Sequence, residues 1–218
     1  MTIDKPSNLK LVGEGSASGG VYETIRVTGQ GSIIGDVSSK KAKIVGECTI
    51  KGNAEVEQFS IIGKGEIEGD ISCEQLKLTG DIQIKNKFKA SHVHARGYIT
   101  SNGNIEIEKM NIKGGFNING MLNVGELKID LQLAPSFVRE IGGEKITITR
   151  RSLVNRSSTL EVELIEGDEI YLEYTSAQMV RGDVIVIGPG CHINQVEYRS
   201  SYKNKQKYSE NIKTVVQI

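Results

Sequence analysis

The sequence has no tryptophan, four phenylalanines, seven tyrosines and only three prolines in 218 residues. So few aromatics, with no basic cluster interleaved among them, argue against a nucleic-acid partner. Lys plus Arg equals Asp plus Glu at 27 each, so no overall charge draws the chain to a polyanion. No apolar run approaches the ~18 residues of a membrane-spanning helix. The opening MTIDKPSNLK carries no apolar stretch of a signal peptide. The three cysteines, Cys48, Cys73 and Cys191, cannot all pair, and none stands in a Cys-x-x-Cys. Read as buried reduced thiols, they fit a cytoplasmic protein.

Glycine, by contrast, is abundant at 25, and it is periodic. Gly29, Gly46, Gly63, Gly80, Gly97 and Gly114 are 17 residues apart. A second ladder follows six residues after each: Gly35, Gly52, Gly69, Asn86, Gly103 and Gly120. Its one exception is Asn, the other residue that tolerates a left-handed backbone, so both ladders read as sharp corners.

The apolar residues keep the same period. Coils begin at Ile25, Ala42, Phe59, Leu76, Val93, Met110 and Leu127, and each offers three pairs of inward residues spaced by two. One coil, for instance, contributes Leu76 and Leu78, then Ile82 and Ile84, then Phe88 and Ala90. Spacing by two is a strand with one buried face. Two corners per coil carry glycine, and the third is longer and polar, as at Lys40-Lys41 and Glu57-Gln58. The fold class is therefore all-β, a parallel β-helix of triangular coils stacked around one apolar column. A helical reading fails, because alternate apolar positions form no stripe at 3.6 residues per turn and glycine this frequent penalises helix.

Residues 1–8 read as an N-terminal tail and 9–130 as regular coils, the first of them around Leu9-Lys-Leu-Val-Gly13. The register breaks in 131–158, an irregular segment where Leu131, Leu133, Pro135 and Phe137 leave the ladder. Alternation resumes over 159–199, read as irregular coils of the same column, with a small separate β domain as the alternative. Residues 200–218 read as a polar C-terminal tail ending in β-prone Thr-Val-Val-Gln-Ile.

A stack of coils has a problem at its ends, where strand N–H and C=O groups and the apolar column stand open unless capped. No helical cap is visible in residues 1–8, which contain Pro6. The reading is therefore self-association through the ends: Leu9, Leu11 and Val21 at the start, Ile193, Val196 and Tyr198 at the close, with Phe137 a further candidate.

The coil Ile25-Arg-Val-Thr-Gly29-Gln-Gly31-Ser-Ile33-Ile-Gly35-Asp-Val37 resembles those of the bactofilins, polymer-forming bacterial cytoskeletal proteins. The closing Ile-Glu-Gly167-Asp-Glu-Ile-Tyr-Leu-Glu, Val-Arg-Gly182-Asp and Ile-Gly188-Pro-Gly-Cys-His-Ile resemble a longer, Firmicute-type branch of them. The resemblance covers roughly residues 9–198. It implies a right-handed β-helix and a cytoplasmic scaffold that polymerises head-to-head and tail-to-tail without nucleotide or other cofactor. It also implies roles in cell shape, envelope organisation or motility. The implied partners are further copies of the chain, other bactofilins, and the membrane surface or envelope proteins; no small-molecule substrate is implied. Two features depart from the pattern: the chain is longer than a minimal bactofilin, and its N-terminal tail is short and not hydrophobic.

Rival chemistry finds little support. Left-handed β-helix acyltransferases need three hexapeptides per coil and a catalytic histidine between subunits. Here the third corner breaks the hexapeptide rule, and His92, His94 and His192 have no carboxylate at a defined spacing. The acidic stripe Glu55, Glu57, Glu74, Glu106 and Glu108 is a regular ladder, not the close, irregular oxygen cluster that calcium wants. Gly13-Glu-Gly15-Ser-Ala-Ser-Gly19-Gly20 lacks the Gly-Lys-Ser/Thr ending of a phosphate loop. The chain is not expected to be an enzyme; a β-helical module that binds carbohydrate or protein is the alternative class. A basic stripe, Arg26, Lys43, Lys77 and Lys128, with Val45 and Ile62 beside it, reads as a membrane or lateral filament contact.

Overall fold

Alternation with a corner every few residues can satisfy the backbone only if each coil pairs with the coils above and below it. The computed structural model describes residues 7–151, 157–207 and 211–218. Residues 1–6 of the expected N-terminal tail, 152–156 of the expected irregular segment and 208–210 of the expected C-terminal tail lie outside them. The strands are β1 (Ser7–Lys51), β2 (Ala54–Ile67), β3 (Ile71–Ile84), β4 (Phe88–Ser101) and β5 (Ile105–Leu131). They continue with β6 (Ser136–Thr149), β7 (Leu160–Leu172), β8 (Thr175–Ile187), β9 (His192–Asn204) and β10 (Ile212–Gln217). All pair in parallel in sequence order within one sheet, with no α-helix among the described residues. This is a β-solenoid of about ten turns with about 17 residues per turn.

The register follows the glycine ladder. Gly46 pairs with Gly63, Gly63 with Gly80, Gly80 with Gly97 and Gly97 with Gly114. Gly80 shows why the residue is required: its φ is +121°, and a Cβ there would fall 2.1 Å from the carbonyl oxygen of Gly63. The second ladder rests on a different cause from the expected one. Of its members only Gly35 has a left-handed φ, and Asn86 does not. Close approach selects glycine there instead; at Gly103 a Cβ would fall 2.3 Å from the Asn86 carbonyl oxygen.

One residue past that corner, short polar side chains tie coil to coil. The Asn53 N–H donates to Asp36 Oδ1 (2.7 Å), the Asp70 N–H to Asn53 Oδ1 (2.8 Å), and the Lys87 N–H to Asp70 Oδ1 (3.1 Å). The inward residues form one continuous apolar core from Ile25 to Ile212, with Phe59, Phe88 and Phe116 fully buried.

Two sequence-based boundaries need correction. Residues 131–158 are not irregular throughout, because β6 lies inside them and pairs with both β5 and β7. Extra residues sit only at corners. Asn117 pairs with Phe137, a step of 20, and Ser136 with Leu160, a step of 24. Insertions at a corner lengthen the period in sequence without disturbing the stack. Leu131 is fully buried, whereas Leu133 is exposed with a φ of +73°. Residues 200–218 are not simply a tail either: β9 runs to Asn204, and β10 pairs in parallel with residues from Ile193 to Tyr198. The β-prone Thr214-Val-Val-Gln-Ile218 finds there the hydrogen-bond partners that an exposed strand edge offers. Continuity of sheet and core across 159–199 makes these coils part of the same column and removes the separate-domain alternative.

Gly80→Ala is expected to lower the unfolding free energy by about 1–3 kcal/mol from φ strain, with the carbonyl clash adding to it. Gly142→Ala meets only the Asn123 side-chain oxygen, 3.1 Å away, and is expected to stay within about 0.5 kcal/mol. Urea denaturation followed by circular dichroism checks both. The three thiols are buried in the column. Burial raises Cys48 to about 11, and Cys73 and Cys191 to about 12, from the ordinary 9.0. The unfolded chain therefore loses these protons first. Their contribution to stability is complete below pH 9.0 and lost as pH rises through about 11–12. A chromogenic disulfide reagent at neutral pH is expected to label none of the three in the folded protein and all three in denaturant.

Candidate assembly surfaces

The N-terminal end of the column is built from the first coil. Gly13 stacks under Gly29, and the Thr24 hydroxyl donates to Asn8 Oδ1 (2.7 Å). This register sets Leu9 and Leu11 beneath Ile25 and Val27, which are 3% and 0% exposed. Leu9 and Leu11 themselves are only half-buried, because no described residue lies below them. Val12 and Val21 are exposed beside them, at 68% and 69%. Tyr22 packs partly against this end of the core, its hydroxyl donating to the Ser18 carbonyl (2.8 Å).

At the other end the expected residues divide. Ile193 and Val196 are buried, because β10 lies over them: Ile212 pairs with Ile193 and Val215 with Val196. They belong to the core and are not end residues. Tyr198 is half-buried and stacks on Tyr202, with ring centroids 5.7 Å apart. Val215 is the residue that sequence reading missed. It continues the inward lane of Val180 and Val196, both 0% exposed, yet is itself 42% exposed. Val216 and Ile218 are exposed close by. The signal for this end is the β-prone composition of the closing residues, which the sequence reading places in a tail. Phe137 pairs with Asn117 and Glu161 in an outward lane, on the flank of the column rather than at an end.

The flank has chemically distinct faces. Arg26, Lys43, Lys77 and Lys128 occupy one outward lane, with Val45 and Ile62 in the next, all on the face that precedes the first glycine corner. Ile62 is exposed and Val45 half-buried. The carboxylates of Glu55, Glu57, Glu74, Glu106 and Glu108 line a shallow groove on a neighbouring face, floored by Cys73, Ala90 and Ile107. The remaining face carries internal ion pairs, Lys85 with Glu66 (2.9 Å) and Glu68 (3.4 Å), and Lys64 with Glu47 (3.7 Å).

The three histidines are exposed, and no lane neighbour of theirs is a carboxylate: His92 lies between Gln75 and Lys109, His94 between Lys77 and Asn111, and His192 beside Ser176. Among the described residues no group of three His, Cys, Asp or Glu is placed to hold a metal ion. No helix among them is long and apolar enough to cross a membrane. A polar cluster anchors the long corner after β6. The Tyr171 hydroxyl donates to Glu173 Oε1 (2.6 Å), and the Arg150 N–H donates to Glu173 Oε2 (3.0 Å). The Arg150 guanidinium lies 3.2 Å over the Tyr174 ring. The carboxylate hydrogen bond, the first cause, and burial together push the Tyr171 hydroxyl up to about 12.

No protein-family model matches the chain, and no solved structure matches it. Two proteins of Bacillus subtilis (strain 168) are similar to it. Uncharacterized protein YhbE is 39% identical over 90 residues, 38% of each chain. Uncharacterized protein YhbF is 54% identical over 217 residues, covering 91% of this chain and 92% of the relative. At that identity and coverage, the chain belongs to the same family as YhbF.

Proposed function

We propose that this chain is a bactofilin-type structural scaffold that self-assembles end to end into filaments without nucleotide, with no catalytic role. Its place is the cytoplasm, where such filaments would organise the envelope, cell shape or motility machinery. One observation carries the reading: among the described residues nothing fully covers the apolar column at either end. Leu9 and Leu11 at one end, and Val215 at the other, stand in lanes that are buried in the coils next to them. A parallel stack adds coils in one way only, so the strand edge that receives β10 is the kind of edge that another copy can extend. The glycine-cornered coils that resemble bactofilins support the same reading. A binding module for carbohydrate or protein would use the flank and would leave both ends indifferent to substitution.

Negative-stain electron microscopy of the purified protein without nucleotide is expected to show filaments. Leu11→Glu and Val215→Glu each place an unpaired carboxylate in an apolar contact, at a cost of several kcal/mol. With about 1.4 kcal/mol per tenfold change, the concentration needed for assembly is expected to rise by about 100-fold or more. Filaments of normal length in both variants, or a parent protein that light scattering finds monomeric at high concentration, would overturn the proposal.

A further inference from the structure

The face that precedes the first glycine corner is cationic well beyond its central lane. Its outward positions from Thr24 to Lys113 include Arg26, Lys41, Lys43, Lys77, Arg96 and Lys113, and no carboxylate stands among them. Among the described residues none of these six cations has an ion-pair partner. The acidic face repeats along the same coils. Its Glu55, Glu57, Glu74 and Glu108 are likewise unpaired among the described residues, and Glu106 meets only Lys89, at 3.9 Å. Within each lane the charges lie whole coil spacings of about 4.8 Å apart, on neighbouring coils as at Arg96 and Lys113, or separated by other residues as at Glu55 and Glu106. Two columns lying side by side in the same axial direction therefore bring one ladder of cations against one ladder of carboxylates.

We infer that the cationic face is a lateral docking surface for the acidic face of a second copy of this chain, so that filaments associate side by side through complementary charge. An anionic lipid surface is the competing occupant, and the third corner disfavours it. Glu57, Glu74 and Glu108 stand at the edge shared by the two faces, next to Gln58, Gln75 and Lys109. A continuous negative plane laid on the cationic face would meet those carboxylates, whereas a second column presents its own carboxylates in a narrow strip. The chain's charges also sum to zero, 27 against 27, so self-pairing can neutralise both faces. The inference rests on the scaffold reading for its biological sense alone. The contact needs only two columns side by side and is tested whether or not the ends polymerise.

The test uses two double variants of the full chain, Lys43→Glu/Lys77→Glu and Glu57→Lys/Glu74→Lys, each checked for parental circular dichroism. At about 0.05 M salt the parent is expected to sediment as laterally associated material. It is expected to disperse at about 0.5 M, where the screening length falls to about 4 Å. Each variant alone is expected to lose the sedimenting fraction by about tenfold or more. An equal mixture of the two recovers it, because the reversed face of one then complements the reversed face of the other. Electron microscopy of the same samples separates side-by-side association from end-to-end growth. Single filaments that never bundle at low salt overturn the lateral contact and leave the scaffold reading standing; salt-sensitive side-by-side pairs without filaments do the reverse. Sedimentation of both variants equal to the parent, or no recovery in the mixture, overturns the inference. So does a parent that binds phosphatidylglycerol-containing vesicles through Lys43 and Lys77 while its own association is unchanged by either variant.

Discussion

Along the glycine ladder from Gly29 to Gly114 the backbone of one coil passes so close to the coil below that no side chain fits between them. At Gly97 a Cβ would lie 1.8 Å from the Gly80 carbonyl oxygen, and at Gly114 1.9 Å from that of Gly97. This contact is a rigid spacer. It locks the rotational position of each coil over its neighbour, and the inward side chains then meet like with like. Every other regularity depends on it: the ladders of ions on the flank, the Asp and Asn side chains that reach the next backbone N–H, and the continuous apolar column.

A stack locked in this way extends along one axis. In a globular core the apolar surface closes on itself, whereas here it runs along an axis and, among the described residues, ends in a partly exposed cross-section at each end. The two cross-sections differ in kind. The starting one offers aliphatic side chains on a coil with small inward residues, Gly15 and Ala17. The closing one combines a stacked tyrosine pair with a strand that covers only part of the last coil. The two ends of the column therefore present chemically unlike surfaces.

The period of 17 carried the fold into view, because glycine and alternate apolar residues repeated together from Ile25 to Leu127. Nearly all the inward positions read from it, such as Ile33, Phe88 and Ile105, are in the core. What stayed hidden has one physical cause: a corner can absorb extra residues without altering the stack. The steps of 20 and 24 around β6 broke the arithmetic while the coils continued, and β10 follows a corner of its own. Ile193 and Val196 were misplaced for that reason alone. The second glycine ladder looked like a turn signal and is instead a clearance requirement, since Gly52, Gly69 and Gly103 do not have left-handed φ values. The hydrogen-bonding residues Asp36, Asn53, Asp70 and Asn104 repeat in the same register and were legible in principle. Their role appears only once the neighbouring coil's backbone is in place.

The long corner between β6 and β7 has a practical side. From β6 to β7 the step is 24 residues, and the two strands still pair without a shift in register. The surrounding coils thus keep their register with extra residues in that corner. A fluorescent domain inserted in that corner, away from both ends of the chain, is a means to report where the protein sits in a living cell.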